Sequence, residues 1–371
     1  MYIIYPPREK DWRHKVFVVL ALAMLYPLLK LGGFFPQPVP ADFNSIPDQE
    51  LAMAAHTFTL KMSEPGGALT NFIENFAQMI HGFYRGFLSL DGFYPLYPSL
   101  LVTITQKDFN DFVSNAIGLN FLLLLFFLAL LFFTLRRIEG EFFGFLAVSF
   151  LFFFSPLLWK GQQFGAELIV LTCSYLCWFN LVEEEETNHG RNFSAGMWSG
   201  LAFLTAPFGG FLFLTVILYF LVTFHIHLFK QKSWLSFLLG FILLASPILV
   251  RDLWLHQNPL YSLLLHLKTV SLDWNFLQEG NKLLWIFYLL GLGAFVFDPN
   301  SRRRNLSLLL ACTALIGHFI FPLFFVTAFY LAALAHTLLA KLLKKQTLWL
   351  GFTLALGLCS WSWIQYLNFI R

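Results

Sequence analysis

Apolar runs recur along almost the whole chain, separated by short polar stretches. They cover Val16 to Phe35, Phe112 to Leu135, Phe142 to Leu158, Leu168 to Val182, Phe193 to Pro207, Phe208 to Phe224, Trp234 to Val250, Leu283 to Phe297, Leu306 to Phe321, Leu323 to Ala340 and Leu348 to Leu367. Runs of this length and polarity predict transmembrane helices. The expected fold class is an all-α polytopic membrane protein of about eleven spans, with residues 1–371 forming a single transmembrane domain. Tight turns are expected at Thr205 to Gly210 and at Phe321–Pro322, where two runs nearly touch.

One long interruption breaks the pattern. Residues 36–111 form a polar loop, and its part from Ala41 to Pro98 carries Asp42, Asp48, Glu50 and Asp91. Within it Pro47 to Met62 reads as an amphipathic interfacial helix, with Leu51, Ala55, Phe58 and Met62 on one stripe. A second such helix is expected from Thr70 to Tyr84.

Composition closes off the soluble classes. The chain is 58% hydrophobic and only 12% charged, with a mean hydropathy of +0.66, whereas a soluble domain needs roughly 25% charged residues. A net charge of +3 is too mild to argue for nucleic acid. The four cysteines all lie in apolar runs, which gives neither a disulfide framework nor a metal spacing. Phe, at 47 residues, reads as lipid-facing bulk.

Charge placement supplies the orientation. Arg8, Lys10, Arg13 and Lys15 precede the first run, which lacks a small-residue cleavage site and exceeds a signal h-region in length, so it reads as an uncleaved span with a cytoplasmic N-terminus. Arg136 and Arg137, Arg191, Lys230 and Lys232, Arg302 to Arg304, and Lys341, Lys344 and Lys345 then fall in the alternate loops that this start makes cytoplasmic. The acidic loop is thereby expected outside, on a multi-pass protein of the plasma (inner) membrane.

Polar residues at the outer ends of spans are the candidate chemistry, because each is costly there unless it lines a cavity or binds something. No HExxH, CxxC, P-loop or GxGxxG pattern is present. Ser155 to Leu168 carries Lys160, Gln163 and Glu167, and Ser246 to Ser262 carries Arg251 followed by the turn Asn258–Pro259. Each has a plain structural reading beside the functional one. Asp48 fits a capping box with Ser45, Lys160 and Glu167 fit an ion pair at headgroup level, and Arg251 fits a pair with Asp252.

The order of these features resembles the GT-C glycosyltransferases, particularly the protein O-mannosyltransferase and aminoarabinose-transferase type. The likeness rests on the acidic first outer loop, on YPLYPSLL, on FFFSPLLWKGQQFGAELIVL, on GLAFLTAPFGGFLFL and on SPILVRDLWLHQNPLYS, and it covers about Pro40 to Ser262. It implies inverting transfer of a sugar from a polyprenyl-phosphate donor to an acceptor glycan, lipid or protein at the extracytoplasmic face. A first-loop carboxylate would take the acceptor proton, with Asp48 the first choice, then Glu50, then Asp42. Arg251 and Lys160 would meet the leaving phosphate, Tyr94 and Tyr97 would line the cavity, and Gln163, Glu167 and Asn258 complete the expected substrate contacts.

Departures from the family pattern bear on these assignments. Asp48-Gln49-Glu50 stands where adjacent acids are common, and Ala206–Pro207 stands where Lys–Pro is frequent. No C-terminal extracytoplasmic domain is expected after the last run, which leaves acceptor recognition expected from the outer loops or a partner chain. Metal use stays open, since some members employ a divalent cation and others none. Two further classes stand beside the enzyme: a catalytically inactive GT-C-like scaffold of an envelope complex, and a transporter of lipid-linked substrates.

Overall fold

In the computed structural model, the described residues are 96–101, 109–153, 166–182, 188–224, 232–269, 301–316 and 329–336, with positions 291, 293, 296, 298, 300 and 326. Among them every regular element is helical: α1 (Leu96–Leu101), α2 (Phe109–Glu139), α3 (Glu141–Phe153), α4 (Glu167–Val182), α5 (His189–Thr205), α6 (Gly210–Phe224), α7 (Lys232–His256), α8 (Tyr261–Thr269) and α9 (Ser301–Ile316). Two are by length and apolarity able to cross a bilayer, over Gly118–Glu139 and Lys232–His256, and shorter apolar helices run over Glu167–Val182 and Pro207–Thr223. The expected first and last spans, and the two amphipathic helices of the acidic loop, lie outside the described residues.

Local chemistry explains where these helices stop. Arg136 and Arg137 fall in the last turn of α2, where positive charge suits the helix dipole. Gly140 follows at φ 102, a left-handed position that closes the α2–α3 turn and that a side chain would strain. Asn188 caps α5 by accepting from the Gly190 and Arg191 amides, and Asn300 caps α9 by accepting from the Arg303 amide at 3.1 Å. Between α5 and α6 the chain turns through extended Ala206 and a single 3-10 turn, Pro207–Gly209, which is the tight turn expected there.

Packing turns on one seam. α5 and α7 run parallel and in close contact, with Gly196 and Gly200 of α5 facing Gly240 of α7. A Cβ on Gly196 would lie 2.0 Å from the Phe237 carbonyl oxygen, and one on Gly240 would lie 2.1 Å from that of Phe193. Only glycine lets the backbones approach so closely, and the approach brings Cα–H groups against carbonyls where no hydrophobic effect drives helices together. α4 also packs against α5, and α2 pairs with α3.

The core contradicts the reading of Phe as lipid-facing bulk alone. Phe126 and Phe133 are exposed, but Phe127, Phe143, Phe203, Phe237, Phe241 and Phe329 are buried. Phe213 stacks on Phe241 at a centroid separation of 4.0 Å, and Trp178 meets Phe329 edge-on at 5.4 Å. Ring pairing of this kind adds to area burial, which lets Phe join helices inside the bundle.

The end of α2 and the start of α9 are joined by a polar clasp. Arg303 donates from Nε to Asp298 Oδ2 at 2.6 Å, from Nη2 to Asp298 Oδ1 at 2.8 Å and from Nη1 to Glu139 Oε1 at 2.7 Å. Its guanidinium also lies 5.2 Å from the centroid of the Phe329 ring. Tyr330 donates to Asp298 and contacts Ser307, which accepts from the Trp178 indole at 3.2 Å. Burial pushes the Asp298 carboxyl up, but Arg303, the Asn300 amide and the Tyr330 hydroxyl outweigh it and hold the pKa below the usual carboxylate value. Hydropathy gave these residues only a side of the membrane. The clasp they form joins α2, α4, α9 and residues 329–336 across up to 164 positions of sequence.

Candidate functional site at the α7–α8 corner

The α7–α8 corner carries the residues of interest. α7 does not stop at Val250 with the apolar run; it continues to His256 with Pro247 inside it. Arg251 and Asp252 therefore sit in its last turns. Gln257 then takes a left-handed φ of 56 and donates to the Leu253 carbonyl, which ends the helix. Asn258 accepts from the Leu260 amide at 3.0 Å, an Asx turn of the kind Asn–Pro favours. The chain re-enters helix at α8, in a stretch expected to be loop, and His256 and Tyr261 stack at 3.5 Å across the corner.

Inside this corner lies a closed ring of three buried side chains, each no more than 3% exposed: Arg251, Asp252 and Ser262. Arg251 donates to Asp252 Oδ1 from Nε at 3.2 Å and from Nη2 at 2.9 Å, and Nη2 also donates to Ser262 Oγ at 2.9 Å. Ser262 returns its hydroxyl proton to Asp252 Oδ1 at 2.9 Å and its backbone N–H to Oδ2 at 2.8 Å. The carboxylate thus satisfies an otherwise orphan amide at the start of α8. The Arg251–Asp252 pair considered from the sequence is present; Ser262 was missed, because its tie to Asp252 spans a turn that spacing alone does not describe.

Around the ring, segments distant in sequence meet. Phe203 and Leu204 of α5, Phe241, Ala245 and Ile248 of α7 and Leu263 of α8 form one buried cluster, with Leu96 of α1 packed on it. Three of the four quoted motif segments, YPLYPSLL, GLAFLTAPFGGFLFL and SPILVRDLWLHQNPLYS, are therefore brought to the same end. The Leu263 side chain lies against Gly210, at the start of α6.

The other expected site residues divide into two groups. Tyr97 is buried and donates to Asn120 Oδ1 at 3.2 Å, so its hydroxyl is used inside the core. Glu167 opens α4 as the acid of its first turn, half-buried, a position the helix dipole favours. Asp42, Asp48, Glu50, Tyr94, Lys160 and Gln163 lie outside the described residues. Among the described residues no group of three His, Cys, Asp or Glu side chains gathers for a metal.

This topology matches a solved structure, ArnT from Cupriavidus metallidurans bound to undecaprenyl phosphate. The superposition has a TM-score of 0.51 at 13% sequence identity and covers 80% of this chain and 61% of that one. The chain has the GT-C fold. At this identity the likeness establishes architecture alone, and the chain spans about three fifths of the length of ArnT. No protein-family model matches the sequence, and no curated relative does.

Proposed function

We propose that this protein is an integral-membrane glycosyltransferase that moves a sugar from a polyprenyl-phosphate donor to an acceptor at the extracytoplasmic face, with inversion. The observation that carries the reading is the fold shared with a protein solved with undecaprenyl phosphate in place. The convergence of three motif segments on the α7–α8 corner supports it.

In this mechanism a first-loop carboxylate, Asp48 before Glu50 and Asp42, accepts the acceptor hydroxyl proton as its oxygen attacks the anomeric carbon. The bond from that carbon to the lipid phosphate oxygen breaks on the opposite face. Negative charge grows on the departing phosphate, and Arg251 with Lys160 compensates it. Glu167 and Gln163 orient the acceptor or the basic side chains, Tyr94 lines the cavity, and Tyr97 acts from inside the core rather than on the substrate.

A second reading, the inactive scaffold, is favoured by one observation: the Arg251 charge is already balanced by Asp252 in a buried pair. The two are separated by purifying the protein in nanodiscs, supplying radiolabelled polyprenyl-phosphate sugars, and comparing wild type with Asp48→Asn, Glu50→Gln and the double variant. Transfer by wild type that falls at least 100-fold in the variant lacking its base supports the enzyme, in line with the contribution of general-base catalysis, about 10²–10⁴-fold. Equal transfer by wild type and the double variant removes the catalytic assignment. Absence of transfer from wild type with every donor favours the scaffold.

A further inference from the structure

The ring at the α7–α8 corner is an expensive way to dock a helix. Successive residues on an α-helix point about 100° apart and do not face each other, yet Arg251 and Asp252 both bend to one point and meet Ser262 there. A buried ion pair is often no more stabilising than apolar residues of the same volume, and the neighbouring cluster of Phe203, Ile248 and Leu263 shows that apolar contact already joins these helices. What the ring adds is direction. A guanidinium is a planar fork, so holding Nε and Nη2 along one edge sets the plane and heading of the whole group.

The surroundings indicate what such a group would meet. The corner wears a collar of exposed apolar side chains, Leu253, Trp254 and Leu255 on α7 and Leu260 and Leu264 around α8, with Trp254 73% exposed. An exposed Trp among aliphatic side chains at the end of an apolar helix is the composition of a bilayer interface. An anion approaching across such a collar would come from the membrane surface, as a lipid headgroup does.

We propose that Asp252 and Ser262 are positioning residues that hold the Arg251 guanidinium for the phosphate of a polyprenyl lipid. This rests on the reading that the substrate is a polyprenyl phosphate. Asp252 and Ser262 touch no substrate and act through Arg251, and the carboxylate ties the heading of that side chain to the start of α8 through the Ser262 amide.

The test uses the full chain in nanodiscs, with undecaprenyl phosphate as the probe and undecaprenol and inorganic phosphate as separate arms. Ser262→Ala keeps the amide tie to Asp252 and both charges, and is expected to weaken undecaprenyl phosphate binding about three- to tenfold, within the coupling range of side chains in one hydrogen-bond network. Ser262→Thr restores it, Asp252→Asn weakens it about tenfold or more, and neither Ser262→Ala nor Asp252→Asn has any further effect in an Arg251→Gln background. A clasp that only stabilises the fold would lower melting without this loss of additivity. Unchanged affinity in Ser262→Ala and Asp252→Asn, or equal losses with and without Arg251, overturns the proposal. Inorganic phosphate binding as tightly as the lipid would overturn the headgroup assignment. Unchanged binding by Arg251→Gln would overturn the positioning role and leave the glycosyltransferase reading standing. Failure of wild type to bind undecaprenyl phosphate would count against that reading itself, and the proposal would fall with it.

Discussion

Gly240→Ala probes the seam on which the bundle is assembled. The added Cβ would sit 2.1 Å from the Phe193 carbonyl oxygen, where ordinary contact begins at 3.4 Å, so α5 and α7 must part by about 1.3 Å at their closest point. Overpacking of this kind costs about 1–3 kcal/mol, and each lost Cα–H contact to a carbonyl adds roughly 0.5–1 kcal/mol. Replacing a mid-helix glycine returns about 1 kcal/mol of helix propensity. The expected net loss is about 1–3 kcal/mol, roughly a 5- to 150-fold fall in the folded-to-unfolded ratio. Equilibrium unfolding in mixed micelles, followed by circular dichroism, measures it. Gly118→Ala is the matched control, because a Cβ there meets nothing within 4 Å and the propensity gain stands alone. Equal stability of Gly240→Ala and Gly118→Ala would refute the claim that backbone approach at this seam holds the two helices.

Two further substitutions address the polar interior. Asp298→Asn leaves Arg303 its pair with Glu139, so the loss is that of charge-assisted hydrogen bonds, about 1.5–3 kcal/mol, read as a lowered melting temperature. The pH dependence follows from the same carboxylate: its folded pKa lies below its unfolded one, so its stabilisation is fully present above about pH 4 and is lost as pH falls through the folded value. Melting measured from pH 7 downward should show an acid limb that Asp298→Asn flattens, and an unchanged limb would remove Asp298 as its source. Tyr97→Phe removes the buried hydrogen bond from the Tyr97 hydroxyl to Asn120 Oδ1, at about 0.5–1.5 kcal/mol. Stability equal to wild type would show that the Tyr97–Asn120 bond contributes nothing to the fold.

The succession of apolar runs determined the helical class, the places of the longer apolar helices and the tight turn at Pro207, because hydrophobic length and proline chemistry act locally and need no partner to be read. It did not determine α1 and α8, which lie in stretches read as loop, or the last turns of α7. The motif order, likewise linear, pointed to the GT-C architecture that the superposition shows. Partners could not be read this way. Arg251 beside Asp252 was visible as a pair, but Ser262 joins them only because Gln257 turns left-handed and returns the chain. Arg303 looked like one cation among three on a basic loop, and only tertiary contact sets it between Asp298 and Glu139. The parallel seam of Gly196, Gly200 and Gly240 was silent for the same reason: a glycine in an apolar run has no side chain to mark which helix will press against it, and that is decided by backbones meeting in three dimensions.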